Sequence, residues 1–226
     1  MSELRIHDDF RVPVALPAEA QAWVPSPLPG VDRRMLDRVG GEVARATSIV
    51  RYAPGSRFDA HVHELGEEFL VLEGVFSDAA GEYPAGTYVR NPPGSRHAPW
   101  SEAGCIIFVK LRQFDPADRR RTVVDTRSAP FDRGASGVET LGLHTYGREQ
   151  VSLQRVPPGG ALRLAGDEGG AELLVLEGRL HKDGVEGGPG SWFREPPERA
   201  GAWTAGAHGA LAWLKTGHLD PVPQAR

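Results

Sequence analysis

Two tandem copies of one all-β unit, each a small barrel or sandwich, are what this sequence predicts. Three observations point there. The chain aligns with itself when shifted by 104 positions. It holds 28 Gly and 19 Pro among 226 residues, well above the usual share of about 12%. Its apolar residues come in short runs bounded by turn residues, with few strong helical patterns.

The repeat is legible by eye. Arg51-Tyr52-Ala53-Pro54-Gly55 falls on Arg155-Val156-Pro157-Pro158-Gly159, and Glu68-Phe69-Leu70-Val71-Leu72-Glu73-Gly74 falls on Glu172-Leu173-Leu174-Val175-Leu176-Glu177-Gly178. Gly86, Arg90 and Pro92-Pro93 recur as Gly190, Arg194 and Pro196-Pro197, with no gap from Arg51 to Pro93. Repetition at this density marks a duplicated structural unit of about a hundred residues. The junction falls in the charged, Pro-containing stretch from Asp115 to Gly137, which predicts domains at 1–125 and 126–226. Before the first copy, Phe10-Arg11-Val12-Pro13-Val14 and Trp23-Val24-Pro25 read as edge strands or packing arms covering an open sheet edge.

Charge and composition exclude several classes. A formal net charge of -4 is no footprint for nucleic acid or an anionic membrane. The cluster Arg119-Arg120-Arg121 follows Asp115 and Asp118 and reads as a solvated linker face. No apolar stretch approaches the roughly 18 residues of a membrane span. The start, MSELRIHDDF, lacks the layout of a signal peptide, so a cytoplasmic protein is expected. The single cysteine, Cys105, excludes an internal disulfide and Cys-rich zinc modules. It lies on the run Cys105-Ile106-Ile107-Phe108-Val109 and is expected to be a buried, inert thiol.

The candidate chemistry sits in the first copy. His61-Val62-His63 puts two imidazoles at i and i+2, on one face of a strand. Glu67-Glu68 follows after the turn Glu64-Leu65-Gly66, and Gly94-Ser95-Arg96-His97 brings a third histidine. Three neutral imidazoles and a carboxylate suit one divalent first-row metal, Fe, Mn, Ni, Cu or Zn. His7, His144, His181, His208 and His218 are scattered singly and read as surface or core residues.

Those residues resemble the cupin superfamily. Its first motif, G-x5-H-x-H-x3-E-x6-G, is met by Gly55, His61, His63, Glu67 and Gly74. For its second motif, Gly86, Pro93 and His97 stand near the expected roles, and Ser101 replaces the final Asn. More narrowly, Glu67 to Asp78 and Tyr83 to His97 resemble the cupin domain of ChrR-like proteins. The resemblance implies two tandem cupin barrels (the double-stranded β-helix or jelly-roll), with the metal inside the first.

The repeat separates the two glutamates. His61, His63, Glu67 and His97 fall on Ala165, Asp167, Ala171 and Gly201, so all four positions are lost together, whereas Glu68 is kept as Glu172. Glu67 is therefore the expected fourth ligand. Glu68 is expected to point away from the metal and pair with a cation, with Arg51 and Arg90 the candidates because both recur. The second barrel is read as degenerate and metal-free. Phe69, Phe76, Tyr88 and Trp100 are candidate pocket residues, and the alternative that they only fill the barrel stands beside that reading. No nucleophilic triad or phosphate-binding loop is present in the sequence, and no catalytic residue is assigned.

Two functions follow from the resemblance. One is a metal-dependent dioxygenase, of the Fe(II) type, acting on a small organic substrate. The other is a ChrR-like sensor of a small molecule or oxidant, without catalysis. Iron and zinc are the foremost metals, and a homodimer is expected. ChrR-like proteins hold a sigma factor through an N-terminal zinc-binding domain. Here only His7, and no cysteine, precedes the barrel, so sigma-factor binding is not expected.

Overall fold

The computed structural model describes residues 4–164, 169–197, 199 and 201–219. Ala165 and Asp167, which the repeat aligns with His61 and His63, lie outside the described residues. Strands dominate, and the described residues contain no α-helix, only a 3-10 turn at Ala18–Ala20. The all-β expectation from short apolar runs and turn residues is met. No helix is long and apolar enough to cross a membrane.

The chain forms two compact units, residues 1–8 with 22–129 and residues 9–21 with 130–226. In the first, antiparallel strands run in the order Arg5–Ile6, Val31–Gly40, Ala44–Tyr52, Cys105–Leu111, Glu67–Asp78, Thr87–Asn91 and Thr122–Asp125. The long strand Glu67–Asp78 serves two layers. Its first half pairs with Thr87–Asn91 and Cys105–Leu111. Its second half pairs with Gly81–Pro84 and, at Ser77, with Trp100. A register shift between Ile106 and Ile107 lets the strand bend from one layer to the other. Gly74 lies at this bend with φ +71°. A Cβ there would run into the Gly104 carbonyl, and one on Gly178 into that of Gly209, so both copies require glycine for the close approach of two strands.

Side chains alternate across the wall. Phe69, Val71, Phe76, Val89, Ile107 and Val109 point inward and form one buried cluster. Burying a side chain such as Phe69 stabilises by roughly 1.5–3 kcal/mol. The other face of the wall is also covered. Glu68, Tyr88 and Arg90 are buried there, Arg90 donating to Glu68 Oε2 at 2.9 Å and to Asp118 Oδ2 at 2.9 Å. Tyr88 donates to the same Glu68 oxygen at 2.7 Å, and Phe114 lies 3.7 Å from the Arg90 guanidinium carbon. Glu68 does turn away from the barrel interior and does pair with Arg90. The pair is buried, however, because residues 113–125 close over it. Asp118, read as part of a solvated linker, is one of its members. Arg51 pairs instead with Asp32 at 2.8 Å. Arg119, Arg120 and Arg121 are exposed as expected.

The second unit repeats this plan: Glu139–Tyr146, Glu149–Val156, Gly201–Thr216, Ala171–Lys182, Trp192–Glu195 and Val14–Leu16 follow one another in an antiparallel sheet. Its edge strand comes from the N-terminus. Val14, Ala15 and Leu16 pair with Arg194, Phe193 and Trp192, and Phe10 covers the Arg194 guanidinium at 4.5 Å. The N-terminal arm, expected whole with the first barrel, is thus divided. Residues 5–6 pair with Val31–Gly40, and residues 9–21 complete the other unit. The physical reason is the exposed edge of Trp192–Glu195, whose backbone groups need a partner.

Two outcomes test this description. A chain beginning at residue 22 leaves that edge and Arg194 uncovered. It is expected to melt lower by differential scanning calorimetry and to aggregate, and a synthetic peptide of residues 9–21 added in trans should restore it. Arg90→Ala takes the guanidinium away from two buried carboxylates, Glu68 and Asp118. A loss of about 3–5 kcal/mol in urea unfolding is expected, while Arg51→Ala, in an exposed pair, should cost about 1 kcal/mol or less.

Candidate metal centre

The strand His61–His63 pairs antiparallel with Ser95–His97, setting His61 directly opposite His97. Both histidines of the first strand share one face with His97, as the spacing predicts. Their rings form a near-equilateral group, with centroids 4.8, 5.0 and 4.8 Å apart and planes at 71–77°. The three imidazoles place ligand atoms within 4.8 Å of one another. Glu67 enters from the start of the long strand, one position beyond Gly66. Gly66 has φ +78°, and a Cβ there would lie 2.5 Å from the Phe114 ring, so only glycine makes the turn from His63 to Glu67 beneath that ring.

The nitrogens are oriented by their outer partners. His61 Nδ1 is 2.8 Å from the Asp59 carbonyl, and His97 Nδ1 is 3.1 Å from Asp78 Oδ2. Each acceptor fixes the proton on Nδ1 and leaves Nε2 bare. His63 Nε2 and His97 Nε2 then lie 2.9 Å apart. Glu67 Oε2 is 3.4 Å from His63 Nε2 and 3.6 Å from His97 Nε2. The same carboxylate oxygen accepts from Asn91 Nδ2 at 3.0 Å. Asp78 is held in turn, its Oδ1 accepting from Tyr83 Oη at 3.1 Å and from the Ala80 amide. Arg121 donates to that Tyr83 oxygen at 2.8 Å.

The electrostatics suit neutral nitrogen ligands. Burial, reinforced by His61, depresses His63 to about 4. Burial also lowers His97, although Glu67 and Asp78 oppose it. Burial raises Glu67, against the pull of His97 and Asn91. A buried carboxyl raised in this way calls for a cation beside it. The arrangement fits such a cation. Metal–nitrogen bonds of about 2.0–2.1 Å put adjacent ligand atoms roughly 2.9–3.4 Å apart in octahedral or tetrahedral geometry. The observed separations of 2.9, 3.4 and 3.6 Å fall in or beside that range. His61 is exposed while His63 and His97 are partly buried, so the group opens to solvent on the His61 side.

The candidate pocket residues divide. Phe69 and Phe76 lie inside the barrel with ring centroids 4.7 Å apart, and Phe76 is 6.0 Å from His97. Tyr88 lies on the other face of the wall with Glu68 and Arg90. Trp100 stands opposite Ser77 in register; it therefore shares the face of Ser77, not that of Phe76 and Asp78. Strand alternation removes both from the pocket. Cys105 is buried and unbridged, and burial pushes its thiol up, as an inert residue requires.

Asp78, Asn91 and Tyr83 were not singled out from the sequence, since isolated polar residues on strands carry no spacing signal. The second motif, by contrast, has its full spacing when counted through Pro92: Gly86, Pro92, Gly94 and His97 fit G-x5-P-x-G-x2-H. Ser101 replaces the final Asn. Its hydroxyl donates to the Val75 carbonyl at 2.6 Å, closing the turn.

With fold and site described, the relationship is plain. The chain belongs to the ChrR cupin-like domain family, whose model matches residues 12–115 and again residues 119–220. Each half is therefore a cupin unit, as the repeat and the motif implied. No curated protein matches the sequence. Among solved structures the chain is similar to a "putative dioxygenase" of Nostoc punctiforme, with TM-score 0.73, 15% identity and coverage of 94% of this chain and 85% of that one. It is also similar to the bacterial pirin YhhW of Escherichia coli in complex with nickel(II), with TM-score 0.65, 12% identity and coverage of 91% and 98%. The Escherichia coli protein Ylba gives TM-score 0.67 at 14% identity over 94% and 93%. At these identities the likeness is one of fold.

The depressed His63 gives a pH test on metal-stripped protein. Its contribution to stability is present in full above the ordinary histidine value of about 6.5. It is lost as pH falls toward 4, because the unfolded chain takes a proton that the folded site refuses. Urea unfolding of the stripped protein should therefore weaken between pH 6.5 and 4 more steeply than that of His63→Gln. Equal slopes would contradict the assignment.

Proposed function

We propose that His61, His63, Glu67 and His97 hold one divalent transition metal, iron or zinc foremost, and that the protein is a metal-dependent dioxygenase of a small organic substrate. The observation that carries this reading is the convergence of the His63 and His97 Nε2 atoms and a buried carboxylate oxygen at coordination-edge distances. When bound, the metal supplies Lewis acidity and, if it is iron, a redox centre. The chain's own residues do the rest. The three imidazoles and Glu67 would supply four ligands to the metal. Asp78 and the Asp59 carbonyl keep His97 and His61 in the ligating tautomer. Phe69 and Phe76 wall the interior side with hydrocarbon and keep water from it, while the exposed His61 side admits substrate. The fold likeness to a protein titled a dioxygenase is in keeping with this reading, but the fold hosts many functions, so the argument rests on the site.

A second reading has its own observation. The family matched over both halves is the ChrR cupin-like one, which favours a bound-metal sensor of a small molecule or oxidant. The two readings part on turnover. Purified without added metal, the wild type is expected to carry about one iron or zinc per chain by plasma mass spectrometry, with Glu67→Ala and His97→Ala each losing most of it. Oxygen-electrode assays of the iron-loaded protein against a panel of enolisable ketones and diketones should then show substrate-dependent oxygen uptake. One tightly held zinc with no uptake would select the sensor. No metal in any form would overturn both readings.

A further inference from the structure

A continuous line of hydrogen bonds ties the histidine cluster to an exposed segment of the chain. His97 Nδ1 donates to Asp78 Oδ2 at 3.1 Å. The other Asp78 oxygen accepts from the Tyr83 hydroxyl at 3.1 Å, and the Tyr83 oxygen accepts from Arg121 Nη2 at 2.8 Å. Asp78 and Tyr83 are buried, whereas Arg121 is exposed. The polarity of the line is fixed from its outer end. A guanidinium has donors and no acceptor, so the phenol must accept from it and spend its one proton on Asp78. The segment has a second tether two residues earlier. Arg119 Nη1 donates to the Pro93 carbonyl at 2.8 Å. Pro93 lies in the turn that leads to His97, and the Gly94 amide of that turn donates to the His63 carbonyl at 2.8 Å.

Comparing the two units separates what belongs to the barrel from what belongs to the site. The Arg112 and Phe114 amides donate to the Gly66 and Leu65 carbonyls, and the Gly217 and Leu219 amides donate to those of Gly170 and Gly169. That fastening occurs in both units, so it is part of the barrel. The line through Tyr83 does not recur. Phe76 pairs with Tyr83 and Leu180 with Gly187, which sets Gly187 where Tyr83 stands. The same shift of 104 sets Lys182 at the place of Asp78 and Glu195 at that of Asn91. Those two are paired with each other at 2.7 Å. The phenol and the carboxylate it holds are thus lost together with His61, His63, Glu67 and His97. Joint loss marked Glu67 as a member of the site, and it marks Asp78 and Tyr83 in the same way.

We propose that Tyr83 and Arg121 are positioning residues of the metal centre, holding Asp78 so that His97 keeps its ligating orientation, and that metal binding in turn holds residues 119–121 against the barrel. The inference rests on the reading of His61, His63, Glu67 and His97 as metal ligands. Partners of ligating side chains set their tautomer and ring orientation. Here the outermost partner is a surface arginine, so the centre is linked to a segment that solvent and other molecules can reach. Such a coupling is reciprocal: whatever closure of the segment adds to metal affinity, the metal returns to closure of the segment.

The test uses full-length protein stripped of metal and titrated with zinc against a chromophoric chelator. Tyr83→Phe, which removes the hydroxyl and both of its bonds, is expected to weaken zinc binding about 10- to 100-fold. Arg121→Gln should weaken it about tenfold, and Arg121→Lys, which keeps a donor, should recover most of that loss. Stripped Arg121→Gln should unfold in urea with the stripped wild type, because an exposed side chain adds little stability by itself. A merely structural role predicts the reverse, lower stability of the stripped protein with zinc affinity unchanged. Should Tyr83→Phe not fold, the wild type still decides through trypsin. The protease must take an arginine side chain, so tethers on Arg119 and Arg121 block it. Cleavage after residues 119–121, mapped by mass, is expected to be at least about tenfold slower with zinc than without. Cleavage after Arg148, exposed in the second unit, should keep its rate. Unchanged zinc affinity in the variants, or equal cleavage at residues 119–121 with and without zinc, would overturn this inference and leave the metal reading standing. A wild type that binds no zinc would overturn both.

Discussion

The period-two pleat of the strand Glu67–Asp78 is the constraint on which the rest of the structure depends. Adjacent glutamates at its start meet opposite environments because successive side chains leave a strand on opposite faces. Glu67 joins Phe69 and Val71 inside and lies beside two imidazoles. Glu68 joins Tyr88 and Arg90 outside, under residues 113–125. At the far end of the strand, Phe76 and Asp78 return to the inner face, one as hydrocarbon wall and the other as the acceptor for His97. A single slip of register would bring Glu68 inside and turn Glu67, Phe69 and Asp78 out together. The buried Arg90 triad makes that slip costly, since it would leave two carboxylates and a guanidinium without their partners.

The two barrels show how one scaffold holds a charge in its interior by different means. In the first, a buried carboxylate and imidazole nitrogens converge, an arrangement that favours a cation. In the second, lysine provides the cation covalently, and glutamate stands where asparagine stood. Burial makes both arrangements sensitive to composition. An interior charge survives only with an opposite charge and hydrogen bonds close by, so the substitutions at positions 171, 182, 195 and 201 make physical sense only as a set.

Much of this could be read from the sequence, and the limits have physical causes. The repeat and the G-x5-H-x-H-x3-E spacing gave the fold and the cluster because local strand geometry alone carries i, i+2 residues to one face. Comparing the copies separated Glu67 from Glu68 because loss of a site removes its members together. Asp78, Asn91 and Tyr83 escaped, because they reach His97, Glu67 and Asp78 respectively through strand pairings that the sequence does not display. Tyr88 and Trp100 were drawn into the candidate pocket by residue type, whereas the wall's alternation sends both to its other face. The burial of Asp118 was hidden for a related reason. A charged, Pro-containing stretch reads as linker until the uncovered guanidinium it closes over is known.

The division of the N-terminal arm also bears on how the chain reaches its native state. The amide of Ala18 is bound by the hydroxyl of Ser191, 173 residues away, and the Arg194 guanidinium by the carbonyl of Asp9, 185 residues away. During synthesis the segment that completes the second barrel leaves the ribosome before the first barrel does, and its partner strand leaves after it. The first barrel, closed by residues that follow it directly, can form meanwhile. Its neighbour must capture an arm that has stayed unpaired throughout. Contacts of such long sequence separation slow folding. They also make the docking of residues 9–21 a ring closure, by which a segment made before the first barrel becomes the seal on a strand made after it.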